Sequence, residues 1–317
     1  MNVNSTLPQA AKEGLLRGWR SYLWLMKIVV PVSAAVALIE YSGWLYRLDG
    51  VLSPVLGLMG LSAAAAVPLL VGLFAGIYGG IAAMTALPLH LTEQTLIAVF
   101  LLISHNLIQE SVIQDRSGLA FWKAACSRLA ASMAAVLAVS WVLNAAPVEN
   151  QAVSAADALR QSFGAFAVDW TASIAGLAAK MFAILLPLMV ILEVAKAIGG
   201  IEILVRLVAP LLRMLGLKRQ VGVLWLTGAV FGLTYGAAVI VEEARNGRFT
   251  DQDLEELHLS VGINHSIIED PLLFMALGIA PVWLWVPRLA AALAAVYLRR
   301  ALGAARRRLS GLLLSHR

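Results

Sequence analysis

The chain has 317 residues, 60% of them hydrophobic and 14% charged, with a formal net charge of +5 and a mean hydropathy of +0.82. Soluble domains average roughly 45–50% apolar and about 25% charged residues, so the composition excludes an ordinary soluble domain and points to an all-α polytopic membrane protein. The positive charge is read as the lysine and arginine bias of cytoplasmic loops rather than as a nucleic-acid footprint, and the single cysteine, Cys126, excludes an intrachain disulfide and a thiolate metal cage.

Residues 1–21 read as a cytoplasmic leader, where Leu15, Leu16 and Trp19 set against Lys12, Arg17 and Arg20 suit a helix on a membrane surface. A plain solvated leader fits the same residues. The apolar run from Tyr22 to Tyr46 is too long for the hydrophobic part of a signal peptide and is expected to be an uncleaved membrane helix, with Lys27 snorkelling to the headgroups. Ser62 to Pro88 contains no Asp, Glu, Lys or Arg and is expected to be the second span, since crossing takes ~20 apolar residues. Its Gly72, Gly76 and Gly80 recur on one helix face, where small residues let backbones approach closely. A polar break at Leu89 to Gln94 leads into ISHNLIQES, Ile103 to Ser111, and the run Leu129 to Ala146 follows.

Residues 147–172, less apolar and acidic on balance, are expected to be an extracytoplasmic linker. Beyond it come a basic segment, Lys196 to Arg219, an uncharged run, Val221 to Val241, and an acidic segment, Glu242 to Glu256. The sequence INHSIIEDP, Ile263 to Pro271, then echoes the first polar stretch, and residues 305–317 form a basic tail.

The echo is part of a longer internal repeat. Pro54/Pro210, Gly60/Gly216, Gly72/Gly228, Gly76/Gly232 and Gly80/Gly236 are each 156 apart (210 − 54 and so on). The tetrapeptides at Leu91 and Phe249 are 158 apart (249 − 91), and His105/His265 and Arg128/Arg288 are 160 apart (265 − 105, 288 − 128). Topology follows from where basic residues are dense. If each histidine stretch crosses the membrane, the basic Lys196 to Arg219 segment falls outside. If each is a re-entrant hairpin, every half has three crossings; the start, Arg116 to Arg128, Lys196 to Arg219 and the tail fall inside, and the linker and Glu242 to Glu256 outside. An odd number of crossings makes the second half inverted. The expected plan is thus repeat 1 over 22–146 with a hairpin at about 94–115, and repeat 2 over 173–304 with a hairpin at about 254–278.

Ionisable residues inside membrane segments are costly and mark functional sites. The candidates in the first stretch are Ser104, His105, Asn106, Gln109, Glu110 and Ser111; in the second, Asn264, His265, Ser266, Glu269 and Asp270. Mutual pairing that pins two hairpins together is the structural alternative. Arg128 and Arg288 each follow their histidine by 23 residues (128 − 105, 288 − 265) and could neutralise Glu110, Glu269 or Asp270, hold an anionic ligand, or snorkel. Imidazole and carboxylate also suit a metal, with His105, Glu110, His265 and Glu269 as candidate ligands, whereas the Asn, Gln, Ser and Glu set suits a heterocycle and ribose.

The stretches GLFAGIYGG with HNLIQES, and GAVFGLTYGAA with EE and NHSIIED, resemble the nucleoside-recognition or Gate domain of concentrative nucleoside transporters and of the membrane region of ferrous-iron transporter B. The resemblance spans about 22–300 and implies two inverted repeats with re-entrant or broken helical hairpins whose tips, including Gln109, Glu110, Glu269 and Asp270, hold solute and coupling ion. Neither the GTPase domain of the iron transporters nor the added scaffold helices of the nucleoside transporters is expected from these residues. The resulting expectation is a non-enzymatic permease of the bacterial inner membrane, with both termini cytoplasmic, for a small polar, nucleoside-like solute. A divalent-metal permease and a non-transporting membrane partner are the alternatives. No cofactor is expected beyond a coupling Na+ or H+; the expected partners are the bilayer, the solute and further copies of the chain, and not nucleic acid.

Overall fold

The computed structural model describes residues 3–44, 49–145, 162–199 and 249–315; between 200 and 248 it describes positions 206, 210, 212–215, 217, 221, 222, 224–229 and 240. Among these residues every regular element is helical. Five stretches are long and apolar enough to cross a membrane: Leu7–Tyr41, Leu91–Arg116, Phe121–Val142, Phe163–Ala197 and Pro281–Ala305. The protein is an all-α polytopic membrane protein.

Helix α1 (Val3–Tyr41) joins the leader and the first span in one element. It packs along its length against α8 (Phe163–Ala197), with glycine at the closest approach: a Cβ on Gly14 would lie 2.6 Å from Val190 Cα. The last residues of the expected linker, 163–172, are therefore the first turns of α8, begun by the Ser162 side chain accepting a hydrogen bond from the Ala165 amide. Residues 147–161 lie outside the described residues.

After α2 (Asp49–Gly57) and a short 3-10 turn at Ala63–Ala65, the stretch expected to be a second span doubles back. Helices α3 (Ala66–Ala75) and α4 (Ile77–Thr85) meet at Gly76, which has φ 90° and ψ 175°, and pack against each other. A Cβ on Gly80 would lie 3.2 Å from Gly72 Cα and 3.4 Å from the Pro68 carbonyl oxygen, and one on Gly79 3.0 Å from Val71. Such pairing across Gly76 is that of an antiparallel hairpin. At 1.5 Å per residue each arm is only about 15 Å long, roughly half a bilayer core. The glycines serve the close approach read from the sequence, but between the two arms of one hairpin.

By contrast, the histidine stretch is a broken helix. Helices α5 (Leu91–Ser104) and α6 (Leu107–Arg116) do not lie side by side, and together they form a single stretch long enough to span. The fold-back thus sits one element earlier than the expected hairpin at 94–115. Glycine periodicity reads alike for a span and for two facing arms, so the sequence pattern did not separate them. Helices α9 (Asp251–Asn264) and α10 (Glu269–Met275) show the same break after His265. Gly232, Gly236 and most of Val221 to Val241, the second glycine stretch, lie outside the described residues, as do Glu242 and Glu243.

Buried residues from Leu96 to Ser104 place α5 at the centre, packed on α7 (Phe121–Val142), α11 (Pro281–Ser315), α3 and α9. The start of each broken helix repeats too. The His90 amide donates to Glu93 Oε2 at 3.2 Å, and the Thr250 amide to Asp253 Oδ2 at 3.2 Å. These positions are 160 apart (250 − 90), so the 158-residue register of the Leu91 and Phe249 tetrapeptides is not the one the fold uses.

Ion pairs fix which helix ends share a face. Lys123 Nζ lies 3.2 Å and Arg299 Nη2 2.8 Å from the Glu255 carboxylate, and Arg300 pairs with Glu256. Glu255 and Glu256 therefore sit with the start of α7 and the basic end of α11, not on the opposite face as the charge count had it. Acidic residues carry little topological information; here they compensate neighbouring arginines. Among the described residues of 22–146, α1, the α5–α6 stretch and α7 are the three long enough to cross, with the hairpin at Gly76 where a second span was expected.

Two measurements check this arrangement. Gly76→Ala should lower stability by about 1–3 kcal/mol, because φ 90° with ψ 175° is essentially a glycine conformation, while Gly176→Ala, where a Cβ meets nothing within 4 Å, should not; thermal unfolding in detergent reads both. In a Cys126→Ser background, cysteines placed at 123, 255 and 303 should all react with an impermeant thiol reagent from the same side of intact vesicles.

Candidate functional site

The two helix breaks meet. His105 Nε2 lies 3.2 Å from His265 Nε2, with ring centroids 4.7 Å apart, and both rings are buried. Helix α9 approaches along α6: Gln114 Nε2 donates to the His258 carbonyl at 2.8 Å, and a Cβ on Gly262 would lie 2.6 Å from Gln114 Nε2. Residue numbers fall along α6 as they rise along α9, so these two helices run antiparallel, and α9 ends where α6 begins.

A helix that ends inside a protein leaves its last carbonyls without intrahelical partners. Arg128, from α7, donates through Nε to the Ile103 carbonyl at 2.8 Å and through Nη2 to the His105 carbonyl at 2.8 Å. Arg288, from α11, does the same to the Ile263 carbonyl at 3.3 Å and to the His265 carbonyl. The side chains of Ser104 and Asn264 in turn donate to the carbonyls of Arg128 and Arg288, at 3.4 and 3.5 Å. Both arginines are 1% exposed, so neither snorkels. A guanidinium at a helix C-terminus also meets the negative end of the helix dipole.

The carboxylates occupy the complementary ends. Glu110 lies in the first turn of α6, and Glu269 and Asp270 in the first turn of α10, where backbone amides are free. Glu110 Oε2 forms an ion pair with Arg128 Nη2 at 2.7 Å and lies 3.2 Å from His265 Nε2. Asp270 Oδ2 is 3.7 Å from His105 Nε2, and Glu269 accepts a hydrogen bond from the Tyr78 hydroxyl beside the hairpin tip. Asn106 and Ser266, 160 apart, hold φ 50° and 49° in the left-handed region, a strained geometry kept where chain direction must change. The Asn106 side chain rests against Gly76, and the Asn106 backbone N–H donates to the Gly72 carbonyl at 3.1 Å, tying the first break to the hairpin.

One family model, described as nucleoside recognition (Gate), matches residues 22–114, which include the hairpin and the first break. A membrane protein of Bacillus subtilis, YvoD, whose name calls it uncharacterized, is 32% identical over 276 residues, covering 85% of this chain and 87% of its own. The chain belongs to the Gate family of membrane proteins. No solved structure matches this Gate protein.

Of the residues singled out in the sequence, the structure of this Gate protein gathers Ser104, His105, Glu110, Arg128, Asn264, His265, Asp270 and Arg288 into one buried cluster. Ser111 is buried, with no hydrogen-bond partner for its hydroxyl among the described residues, while Gln109 faces away and is exposed. Among the four candidate metal ligands the two histidines converge, whereas Glu110 pairs with Arg128 and Glu269 with Tyr78; Asp270 completes the group whose ligand atoms lie within 4.8 Å of one another. Three polar residues near the junction escaped sequence reasoning. His258 stands two turns before His265 on the same face of α9 and donates through Nε2 to the Ser117 carbonyl at 3.0 Å; that seven-residue spacing was the available signal. Tyr78 and Gln114 reach the site only through the hairpin and the antiparallel packing of α9, which no local pattern encodes.

Arg128→Ala should cost about 3–5 kcal/mol, because it strands the Glu110 carboxylate and two carbonyls in the interior. Adding Glu110→Ala to it should cost less than the sum of the single losses. Thermal unfolding of the four proteins closes that cycle, and additivity would show that the pair does not interact.

Proposed function

We propose that this Gate protein is a permease of the bacterial inner membrane that moves a small polar solute through the junction of its two helix breaks. The observation that carries the reading is the His105–His265 contact between two interrupted helices, surrounded by buried polar atoms that lack hydrogen-bond partners among the described residues. Those atoms include Arg128 Nη1, Arg288 Nη1 and Asp270 Oδ2. Interrupted helices at membrane depth recur in secondary transporters, where the half-helix ends bind the solute and its coupling ion. Non-helical backbone is tolerated there only against protein or a water-filled cavity.

The repeated contacts of Arg128 and Arg288, the left-handed Asn106 and Ser266 and the 160-residue offset support two inverted repeats facing each other across the junction. Separation of the two halves on alternate sides would open the junction to each face in turn, with both termini in the cytoplasm beside the arginine-rich end of α11. The transported solute is nucleoside-like, a reading supported by the amide, hydroxyl and carboxylate groups around the junction and by the nucleoside-recognition description of the matched family. With only 3.2 Å between the two imidazole nitrogens, such a solute enters only when the breaks part.

Uptake of radiolabelled nucleosides into proteoliposomes tests the proposal. The wild-type protein should accumulate at least one nucleoside above empty liposomes, and Glu110→Gln and Asp270→Asn, which keep side-chain size, should lower the initial rate at least about ten-fold, a barrier increase of ~1.4 kcal/mol. No uptake of any nucleoside, with stable co-purification of a second protein, would favour a non-transporting membrane partner instead.

A further inference from the structure

The histidine pair has a requirement that polar solute recognition does not meet. His105 Nδ1 lies 2.8 Å from the Leu101 carbonyl and His265 Nδ1 2.9 Å from the Gly262 carbonyl. A carbonyl oxygen only accepts, so each Nδ1 carries the hydrogen, and each neutral ring presents a bare lone pair at Nε2. Those two lone pairs face each other at 3.2 Å. Glu110 Oε2 comes within 3.2 Å of one and Asp270 Oδ2 within 3.7 Å of the other, which brings four electron-rich atoms together. The Asp270 side chain is 3% exposed and its Oδ2 has no hydrogen-bond partner among the described residues.

We propose that His105, His265 and Asp270 bind a divalent first-row transition-metal cation that bridges the two helix breaks. Their ligand atoms already lie within 4.8 Å of one another. With metal–nitrogen bonds of about 2.0–2.1 Å, a nitrogen separation of 3.2 Å gives an angle of roughly 100° at the metal, close to tetrahedral. The Nδ1–H bonds to backbone carbonyls are the outer contacts that fix the tautomer and aim of ligating histidines. Imidazole and carboxylate select zinc, iron, cobalt or manganese over calcium and magnesium, which prefer oxygen alone.

Charge favours the cation as well. Glu110, Glu269 and Asp270 outnumber Arg128 and Arg288 around the junction, and the C-terminal ends of α5 and α9 add negative potential. The cation replaces the repulsion between facing lone pairs by a bond from each half of the protein, so it holds the junction closed.

Binding is read on the purified full-length protein, stripped with chelator and titrated with Co2+, whose visible absorption reports tetrahedral nitrogen and oxygen ligation. One Co2+ per chain is expected, displaced by Zn2+. Asp270→Asn should weaken binding at least about ten-fold, His265→Ala should abolish it, and His90→Ala, a change at an exposed histidine, should leave it intact. Asp270→Asn keeps the side-chain shape, so the test stands even where the histidine variant misfolds. A wild-type protein that takes up no Co2+ or Zn2+, or whose cobalt spectrum is unchanged by Asp270→Asn, overturns the site and leaves a shared proton as the group between the rings. The site does not depend on the transport reading: binding without nucleoside uptake removes the nucleoside permease and keeps the cation, and uptake without binding does the reverse.

Discussion

Helices that stop in the middle of a membrane protein leave carbonyl groups where neither water nor a strand can meet them, and an open carbonyl there costs several kcal/mol. In this chain one guanidinium answers that need at each break. Arg128 holds the Ile103 and His105 carbonyls, and Arg288 holds those of Ile263 and His265. Arginine suits the task because its planar fork reaches two acceptors at once and stays charged when buried. Everything polar at the junction follows from importing that charge. Glu110 balances Arg128, the acidic first turns of α6 and α10 lie beside the arginine-capped ends, and the histidines occupy the space between.

The same constraint explains why polar side chains crowd one level of the fold while the rest of each helix is apolar. A buried ion pair is weak evidence for stability, since well-packed apolar groups often serve as well. Two uninterrupted helices would need neither arginine nor glutamate. Retaining the breaks therefore commits the fold to a costly polar centre, and the close-packed hairpin around Gly76 braces the first of them through the Asn106 amide and the Gly72 carbonyl. Strain at Asn106 and Ser266 is compensated by the same packing.

How much of this was legible in the sequence differs by element. The membrane class could be read, and so could the buried polar residues that the fold gathers, because burial of charge is rare enough that His105, Glu110, Arg128, His265, Asp270 and Arg288 stand out individually. The 23-residue spacing from histidine to arginine singled out Arg128 and Arg288, but their matching bonds to the helix-end carbonyls were not among the roles it suggested. The place of the fold-back was not legible. Gly72, Gly76 and Gly80 have the spacing of a helix face, and nothing in their identity tells a continuous helix from two arms that meet at a glycine of positive φ. Tyr78 and Gln114 were invisible for a related reason: their partners lie 191 and 144 residues away, and only tertiary packing brings them near.

Placing the fold-back at Gly76 rather than at the histidine stretch changes what the junction is. A re-entrant tip would expose a loop from one side of the membrane, and its polar atoms could be hydrated from that side. A broken helix instead carries the chain on through the membrane, so the residues at its break are enclosed by α7, α11 and the opposing break. Access to His105 and His265 then requires relative movement of whole helices rather than the bending of a loop. The ion pairs of Glu255 with Lys123 and Arg299 join α9 to both arginine-bearing helices at one end. Movement that opens the junction must either keep these three helices together or break those pairs, which are partly open to solvent, and solvent-exposed pairs are worth only ~0.2–1 kcal/mol each. The resistance to opening therefore resides at the centre, where the arginines, carboxylates and facing imidazoles are buried, and not at the charged rim.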